Sequence, residues 1–591
     1  MDDQILKYYE AEMRYLREAG KEFAHAHPDR AALLNLDRVG DRDPFVERLF
    51  EGFAFLTGRL RQRLDDDLPE LTEGLMSLLW PHYLRMIPSL TVIELIPQTE
   101  ALQHSEAVPP GLVLRSTPVG PTQTRCLYRT TQAVPLLPLR LTEARPALRN
   151  DGRSAVRLRL ALEMQGKHEQ LDFSRIRFFL NADAPVASAL RLALTRHVAH
   201  IEVRTPANDG GQLVPHLPNT LHIEAGGFEG RLWPKADNAF GGYQMLLEYF
   251  TFREKFMFVD LCGLDISKVP AGAAWIEIDI VLNQRYPADM PFSTENFRLH
   301  CTPAINLFEL ESEPIRVDHL EPEYRVVPML SEHGQVETWS VDAVQSFNHG
   351  DNQRYEYTPF TSFRHRGGML RHDAPERYYH TRVRRGASGL FETWLVLGGH
   401  VWRGQHDLPP ETLSLRVTGT NGLLPRKALR ESQILEMTLG YPCVAGVRNV
   451  TAPTLPVYPP MEDRFHWRVL SHLAPNYLSL MDAEVLRGTL ALYDWTDDEM
   501  NRRRLEGIQH VSHRLLSRIE QGCVLRGVEI TVTLDSQRFA GDGDIDLFGE
   551  LLNRFFAAYA DMNLFVQLVL ICLPTGKRIV RESVVSTAVS L

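Results

Sequence analysis

The chain has 591 residues, of which 44% are apolar and 24% charged. That length exceeds one hydrophobic core and allows roughly three to five domains, and the composition excludes extended disorder. Lys and Arg total 64 against 75 Asp and Glu, a net charge of −11, which excludes global attraction to nucleic acid or anionic lipid.

The opening "MDDQILKYYE" has neither a basic n-region nor an apolar h-region, so a cytoplasmic location is expected. Residues 4–24 then place Ile5, Tyr9, Met13, Leu16 and Phe23 near one helical face behind Asp2 and Asp3, which suit the positive end of a helix dipole. Asp43 and Pro44 read as N-cap and first helical residue of a second helix. Its stripe is Phe45, Leu49, Phe53, Leu56, Leu60 and Leu64, and Glu47, Arg48, Glu51, Arg59, Arg61 and Arg63 fill the other sides. A third helix runs from Pro69 to about Leu79. Pro81 disfavours an α conformation at Trp80, and Pro88 interrupts the chain again before "LTVIELI". The Trp80, Pro81, His82, Tyr83 cluster is therefore read as an elbow whose aromatics pack; nothing at metal or triad spacing surrounds His82.

From residue 91 the period changes to two. "VRLRLALE" and "WIEIDIVL" alternate apolar and charged residues and are predicted as half-exposed strands; "ETWSVDAV" and "TLSLRV" repeat the pattern. The stretch "CTPAINLFELESEPIRVDHLEPEYRVV" reads as a Pro-punctuated crossover and divides the β-rich centre near residue 320. Residues 466–493 are predicted helical, "GVEITVTL" a strand, and "DIDLFGELLNRFFAAYADM" a helix burying Phe548, Leu551, Leu552, Phe555 and Tyr559. The apolar "LFVQLVLICL" is too short to cross a membrane and closes the chain as a strand. The expected fold class is α+β and multidomain: a helical segment over 1–90, β-rich domains over 91–320 and 321–465, and an α+β module over 466–591.

The search for chemistry is negative. Cys126, Cys262, Cys301, Cys443, Cys523 and Cys572 form no C-x-x-C pair and read as buried free thiols. "GDGDIDLFGE" spaces Asp542, Asp544 and Asp546 like a calcium loop but puts Leu547 where the loop needs Gly and Asn553 where it needs Glu. It reads instead as an acidic helix start. "LPTGKRIV" lacks the residues of a phosphate loop and reads as a hairpin turn, "RGASGL" around Ser388 is not a nucleophile elbow, and His197 and His200 have no third ligand nearby in sequence. No catalytic, cofactor or metal residues are assigned. The stretch "RHRGGMLRHDAPERYYHTRVRR", with Arg382, Arg384 and Arg385 at its end, fits a solvated basic hairpin, a surface for an acidic protein partner, or a nucleic-acid contact.

The block "DPFVERLFEGFAFLTGRLRQRLDDDLPELTEGLMSLLWPHYLRMIPSL" over residues 43–90 resembles the N-terminal signature of the TssF family, also called VasA or ImpG, of type VI secretion system baseplates. The likeness continues through "YRTTQAVPLLPL", "EYFTFREKFMFVDL", "RVTGTNGLLP" and "GVEITVTLDSQRFAGDGDIDLFGELLNRFFAAYADMN" and covers essentially the whole chain. One departure is Arg253, where the family pattern leads one to expect Pro. The resemblance implies a structural wedge component without catalytic residues, cofactor or small-molecule substrate. Two copies would join one TssG, and the wedges would meet TssK, TssE and the VgrG spike at the cytoplasmic face of the inner membrane, touching the membrane only indirectly. It also implies that the Phe45 to Leu64 stripe, with Trp80 and Tyr83, is an intersubunit helix set; the alternative is that the stripe closes on the chain's own core. A β-rich hydrolase or secreted effector is the competing class.

Overall fold

The computed structural model describes residues 9–10, 12–16, 48–57, 76, 81–102, 104–120, 123–163, 171–206, 212–214, 220–234, 241–270, 272–318, 321–329, 336–350, 352–360, 377–386, 391–399, 410–430, 433–460, 480–520, 523–560 and 564–585. Two units are present: residues 1–84 with 461–471, and residues 85–460 with 472–591. In the first unit residues 9–10, 12–16, 48–57 and 76 are α-helical, as the apolar spacing predicts, and the chain turns through a 3-10 helix at Pro81–Leu84. Helical spacing thus yields at Pro81, where α geometry at the preceding residue is disfavoured. Most of the third helix and residues 461–479 lie outside the described residues.

The second unit is built from sheets. A six-stranded antiparallel sheet runs Ile434–Met437, Val113–Ser116, Leu127–Thr130, Cys301–Ile305, Leu90–Pro97, Val444–Asn449. Its strands come from both sides of residue 320. The expected crossover begins inside this sheet: every residue of Cys301–Ile305 is buried, so the Pro303 punctuation sits in a core strand rather than in a connection. Asn306 then carries the chain out, its side chain donating to Leu127 O at 2.6 Å and to Asn421 Oδ1 at 2.9 Å. Beyond it, Phe308–Glu311 and Ile315–Val317 both pair with Glu411–Thr420 in an eight-stranded sheet. Leu413, Leu415 and Val417 of that strand are wholly buried, as period-two alternation requires.

A five-stranded sheet holds Trp275–Leu282 at its centre, between Val198–Thr205 and Ser154–Leu162. This corrects the half-exposed expectation for "WIEIDIVL": Glu277 and Asp279 are buried. Arg157 donates to both Asp279 oxygens, at 2.6 and 2.7 Å, and Arg159 donates to Glu277 at 2.6 Å. Cross-strand register places Arg157 opposite Asp279 and Arg159 opposite Glu277, so one strand's charges cap the other's. Two central helices, Ala184–Arg196 and Gly241–Thr251, went unpredicted. Asp183 at the N-cap and Pro185 in the first turn of the first of them were the available start signal.

At the C-terminal end Cys523–Asp535 and Phe565–Leu573 run parallel, with helix Asp542–Tyr559 as their crossover. Phe548, Leu551, Leu552 and Phe555 are fully buried, as predicted; the Tyr559 side chain lies outside the description. Gly543 permits close helix packing, since a Cβ there would sit 2.3 Å from Ser188 O. The preceding Ile508–Glu520 is a strand that sequence reasoning missed.

Candidate assembly interface

Residues 48–57 carry the middle of the predicted stripe. Leu49, Phe53 and Leu56 are 70%, 58% and 61% exposed, while Ala54 is wholly buried. At about 100° per residue the three large side chains share an arc of roughly 60°, and Ala54 lies on the other side. The inward side thus holds Ala54 with the half-buried Phe50 beside it, while Leu49, Phe53 and Leu56 face solvent, a side of the helix that the lone chain leaves largely uncovered. An apolar ridge of this kind is the candidate for a partner site. Tyr83 is wholly buried. Phe45, Leu60, Leu64 and Trp80 lie outside the described residues, as does the His82 side chain.

The arginine-rich stretch forms a hairpin, Arg377–Arg385 pairing antiparallel with Phe391–Gly399. Among its described side chains, Arg377, Arg382 and Arg384 are engaged within the chain. Arg377 is buried against Glu411 and stacks over the Tyr355 ring with its guanidinium carbon 3.9 Å from the centroid. Arg382 lies 3.8 Å from Glu323, and Arg384 donates to the same carboxylate while covering Trp394 at 5.9 Å. Two of the three nominated arginines thus share one internal partner; the Arg385 side chain and Arg364, Arg366 and Arg371 are outside the description. A third surface was not foreseen. At the end of the long hairpin formed by Ile508–Glu520 and Cys523–Asp535, Ile519 and Val524 stand opposite each other and are 78% and 67% exposed, with Leu515 at 79%. The available signal was Leu515 and Ile519 in a run otherwise rich in Ser, His and Arg.

His300, Glu202 and Asp544 are perturbed by burial or by ion pairs within the chain. Burial holds His300 down to about 4, and its Nε2 accepts from Leu137 N at 3.2 Å, so the ring is neutral. Arg149 is the chief cause that depresses Glu202 to about 2. Burial pushes Asp544 upward, but Arg253 and Arg504 outweigh it and hold the carboxyl below its ordinary value. Arg253 donates to Asp544 at 2.6 Å and Arg504 at 2.9 Å. The residue that departs from the family pattern is thus tied into the acidic helix start. Asp546 meets Arg581 at 2.8 Å and Arg191 at 3.2 Å. These groups neutralise one another and cross-link helices Ala184–Arg196, Glu499–Glu506 and Asp542–Tyr559.

Several antiparallel sheets, a parallel strand pair with a helical crossover, and exposed apolar side chains on helix 48–57 and at a hairpin tip define a β-rich α+β protein. The chain belongs to the type VI secretion system TssF family, whose model matches residues 1–584. It is 30% identical to the type VI secretion system component TssF1 of Pseudomonas aeruginosa, over 98% of this chain and 97% of that protein. Among solved structures it is similar to a chain of the TssK-TssF-TssG baseplate subcomplex of the type VI secretion system, seen by cryo-electron microscopy. That match has a TM-score of 0.79 and 52% identity, covering 91% of this chain and 98% of the other. It is also similar to a chain of a type VI secretion system baseplate complex, with a TM-score of 0.64, 50% identity and 98% coverage of each.

Proposed function

We propose that this chain is a structural subunit of a type VI secretion baseplate that acts by assembly rather than by turnover. The observation that carries the reading is the outward ridge of Leu49, Phe53 and Leu56, 70%, 58% and 61% exposed, in a chain similar over nearly its full length to baseplate components. TssG is the partner that covers the ridge, together with Phe45, Leu60, Leu64 and Trp80; Tyr83 is wholly buried in its own chain, has no surface left for a partner, and is withdrawn from the contact. Two copies of the chain join one TssG, TssK docks on that unit, and TssE and VgrG complete the platform at the cytoplasmic face of the inner membrane. Among the described residues no helix is long and apolar enough to cross a bilayer, so membrane contact is left to other components. The hairpin bearing Arg382, Arg384 and Arg385 forms a second, weaker protein contact, because Glu323 already satisfies part of its charge.

Burying three such side chains is worth roughly 1.5 to 3 kcal/mol each before the cost of association. Phe53→Asp is therefore expected to weaken TssG binding by at least about 2 kcal/mol, or roughly thirtyfold. The check is co-purification and titration of the full chain with TssG, with native mass spectrometry reading the copy number. Wild-type stoichiometry and affinity in the variant would overturn the interface.

A further inference from the structure

Cys262 departs from the reading of all six cysteines as inert buried thiols, because it is only half-buried. Strand His222–Ala225 pairs antiparallel with Phe258–Cys262, and the register sets His222 opposite Cys262 and Glu224 opposite Asp260. Directly opposed residues, and residues two apart on one strand, share a face. Imidazole, carboxylate and thiol are thereby gathered on one side of the sheet, with their ligand atoms all within 4.8 Å of one another. Sequence spacing hides this, since a separation of some forty residues lies between His222 and Cys262.

The surroundings organise the three groups. The His222 Nδ1 lies 3.1 Å from Thr220 O, and its Nε2 lies 3.2 Å from Glu224 Oε1. Thr220 O can only accept, so it takes Nδ1–H; with an ion bound, Nε2 turns its lone pair to the metal in place of its present contact with the Glu224 carboxylate, the arrangement by which a backbone carbonyl orients a metal-ligating histidine. Gly263 makes that carbonyl's approach possible: its φ is +85°, and a Cβ there would stand 1.9 Å from Thr220 O. Charge agrees with a cation. Arg175 stands opposite Cys262 on the same face, but its guanidinium is taken by Asp260 and Glu229, and Arg177 is held by the same Asp260, whereas the Glu224 carboxylate meets the imidazole and the thiol. The neighbouring sheet supplies a contrast. His200 and Glu202 also lie 3.2 Å apart, but Glu202 is taken by Arg149 at 2.8 Å and Arg204 at 3.0 Å, and its group has no thiol.

We propose that His222 Nε2, a Glu224 carboxylate oxygen and Cys262 Sγ form a surface site for a borderline-soft divalent cation of the zinc class, with the fourth position left to water. The donor set fits that class: thiolate, imidazole and carboxylate are the three ligand types zinc takes, at about 2.0 to 2.3 Å, in tetrahedral geometry. Such bonds place ligand atoms roughly 3.3 to 3.8 Å apart, so side-chain rotation alone closes the present spacing onto an ion. Binding displaces the Cys262 thiol proton.

The test titrates the purified full chain with Co2+ and then Zn2+. One cobalt per chain, a sulfur-to-cobalt charge-transfer band in the near ultraviolet, and its loss on adding zinc are expected at micromolar metal. Cys262→Ser removes the band, His222→Gln and Glu224→Gln each weaken binding by at least about tenfold, and His200→Gln leaves it unchanged. His222 and Glu224 are exposed, so circular dichroism of their variants is expected to match the parent, and they test the site independently of Cys262. Absence of binding at micromolar cobalt, a band that survives Cys262→Ser, or affinity indifferent to both His222→Gln and Glu224→Gln overturns the site. Cobalt is read on the free chain, so this outcome stands apart from TssG binding.

Discussion

Helix Asp542–Tyr559 and the helix over residues 48–57 carry the same sequence signal and meet opposite fates. In the first, Phe548, Leu551, Leu552 and Phe555 are wholly buried, because Phe565–Leu573 and Gly241–Thr251 bring apolar surface to the same stripe. In the second, Leu49, Phe53 and Leu56 stand in solvent, while Ala54 is buried and Phe50 half-buried on the other side. Helical periodicity states that a face needs cover. It does not state whether the cover belongs to the same chain, and charge on the remaining faces is equally silent.

The strongest way to break this contrast is at Phe548. Phe548→Ala leaves a cavity in a closed core and is expected to cost about 3 to 5 kcal/mol, read as a lowered denaturation midpoint of the second unit. Next comes Asp544→Ala, which strands the buried Arg504 and the partly buried Arg253; about 3 kcal/mol is expected, mostly from the unpaired charge. Acidification acts through His300. Its folded-state value, about 4 against an ordinary 6.5, means that the unfolded chain binds the proton first. The contribution is therefore complete above pH 6.5 and is lost as pH falls towards 4, a drop of roughly 3 kcal/mol. Stability profiles of the parent and His300→Asn check it, because Asn tolerates the left-handed backbone at that position, φ +54°, but abolishes the titration. Glu202 adds a second loss in the same direction at lower pH, between 4.5 and about 2. The smallest effect on the fold is expected at Phe53: Phe53→Asp changes the chain's own stability by less than about 0.5 kcal/mol while abolishing tight TssG binding. A large loss of stability there would mean that the stripe serves this chain's own core.

Much of the fold was legible where one physical rule acts alone. Alternation located Ser154–Leu162, Glu337–Asn348 and Glu411–Thr420, and the acidic start of "DGDIDLFGE" located its helix. Reading failed where a partner from elsewhere in the chain changed the rule. Glu277 and Asp279 looked like a wet face until Arg157 and Arg159 came across from the neighbouring strand. The run around Pro303 looked like a linker, although a buried strand can hold it. Arg382 and Arg384 looked available, but Glu323 reaches them from a segment some sixty residues away.

The sequence by itself determined the strongly periodic stretches, such as helix Asp542–Tyr559 and strands Ser154–Leu162 and Glu411–Thr420, that the molecule is α+β, and, through its long shared blocks, that it resembles the TssF family. Those properties follow from local periodicity and residue order. Only the tertiary structure decided which charges are buried as pairs, which apolar stripe is left uncovered, and that His222, Glu224 and Cys262 share one face. Each of these depends on strand register and on contacts between residues far apart in the chain, where burial and Coulomb attraction act across space rather than along the sequence.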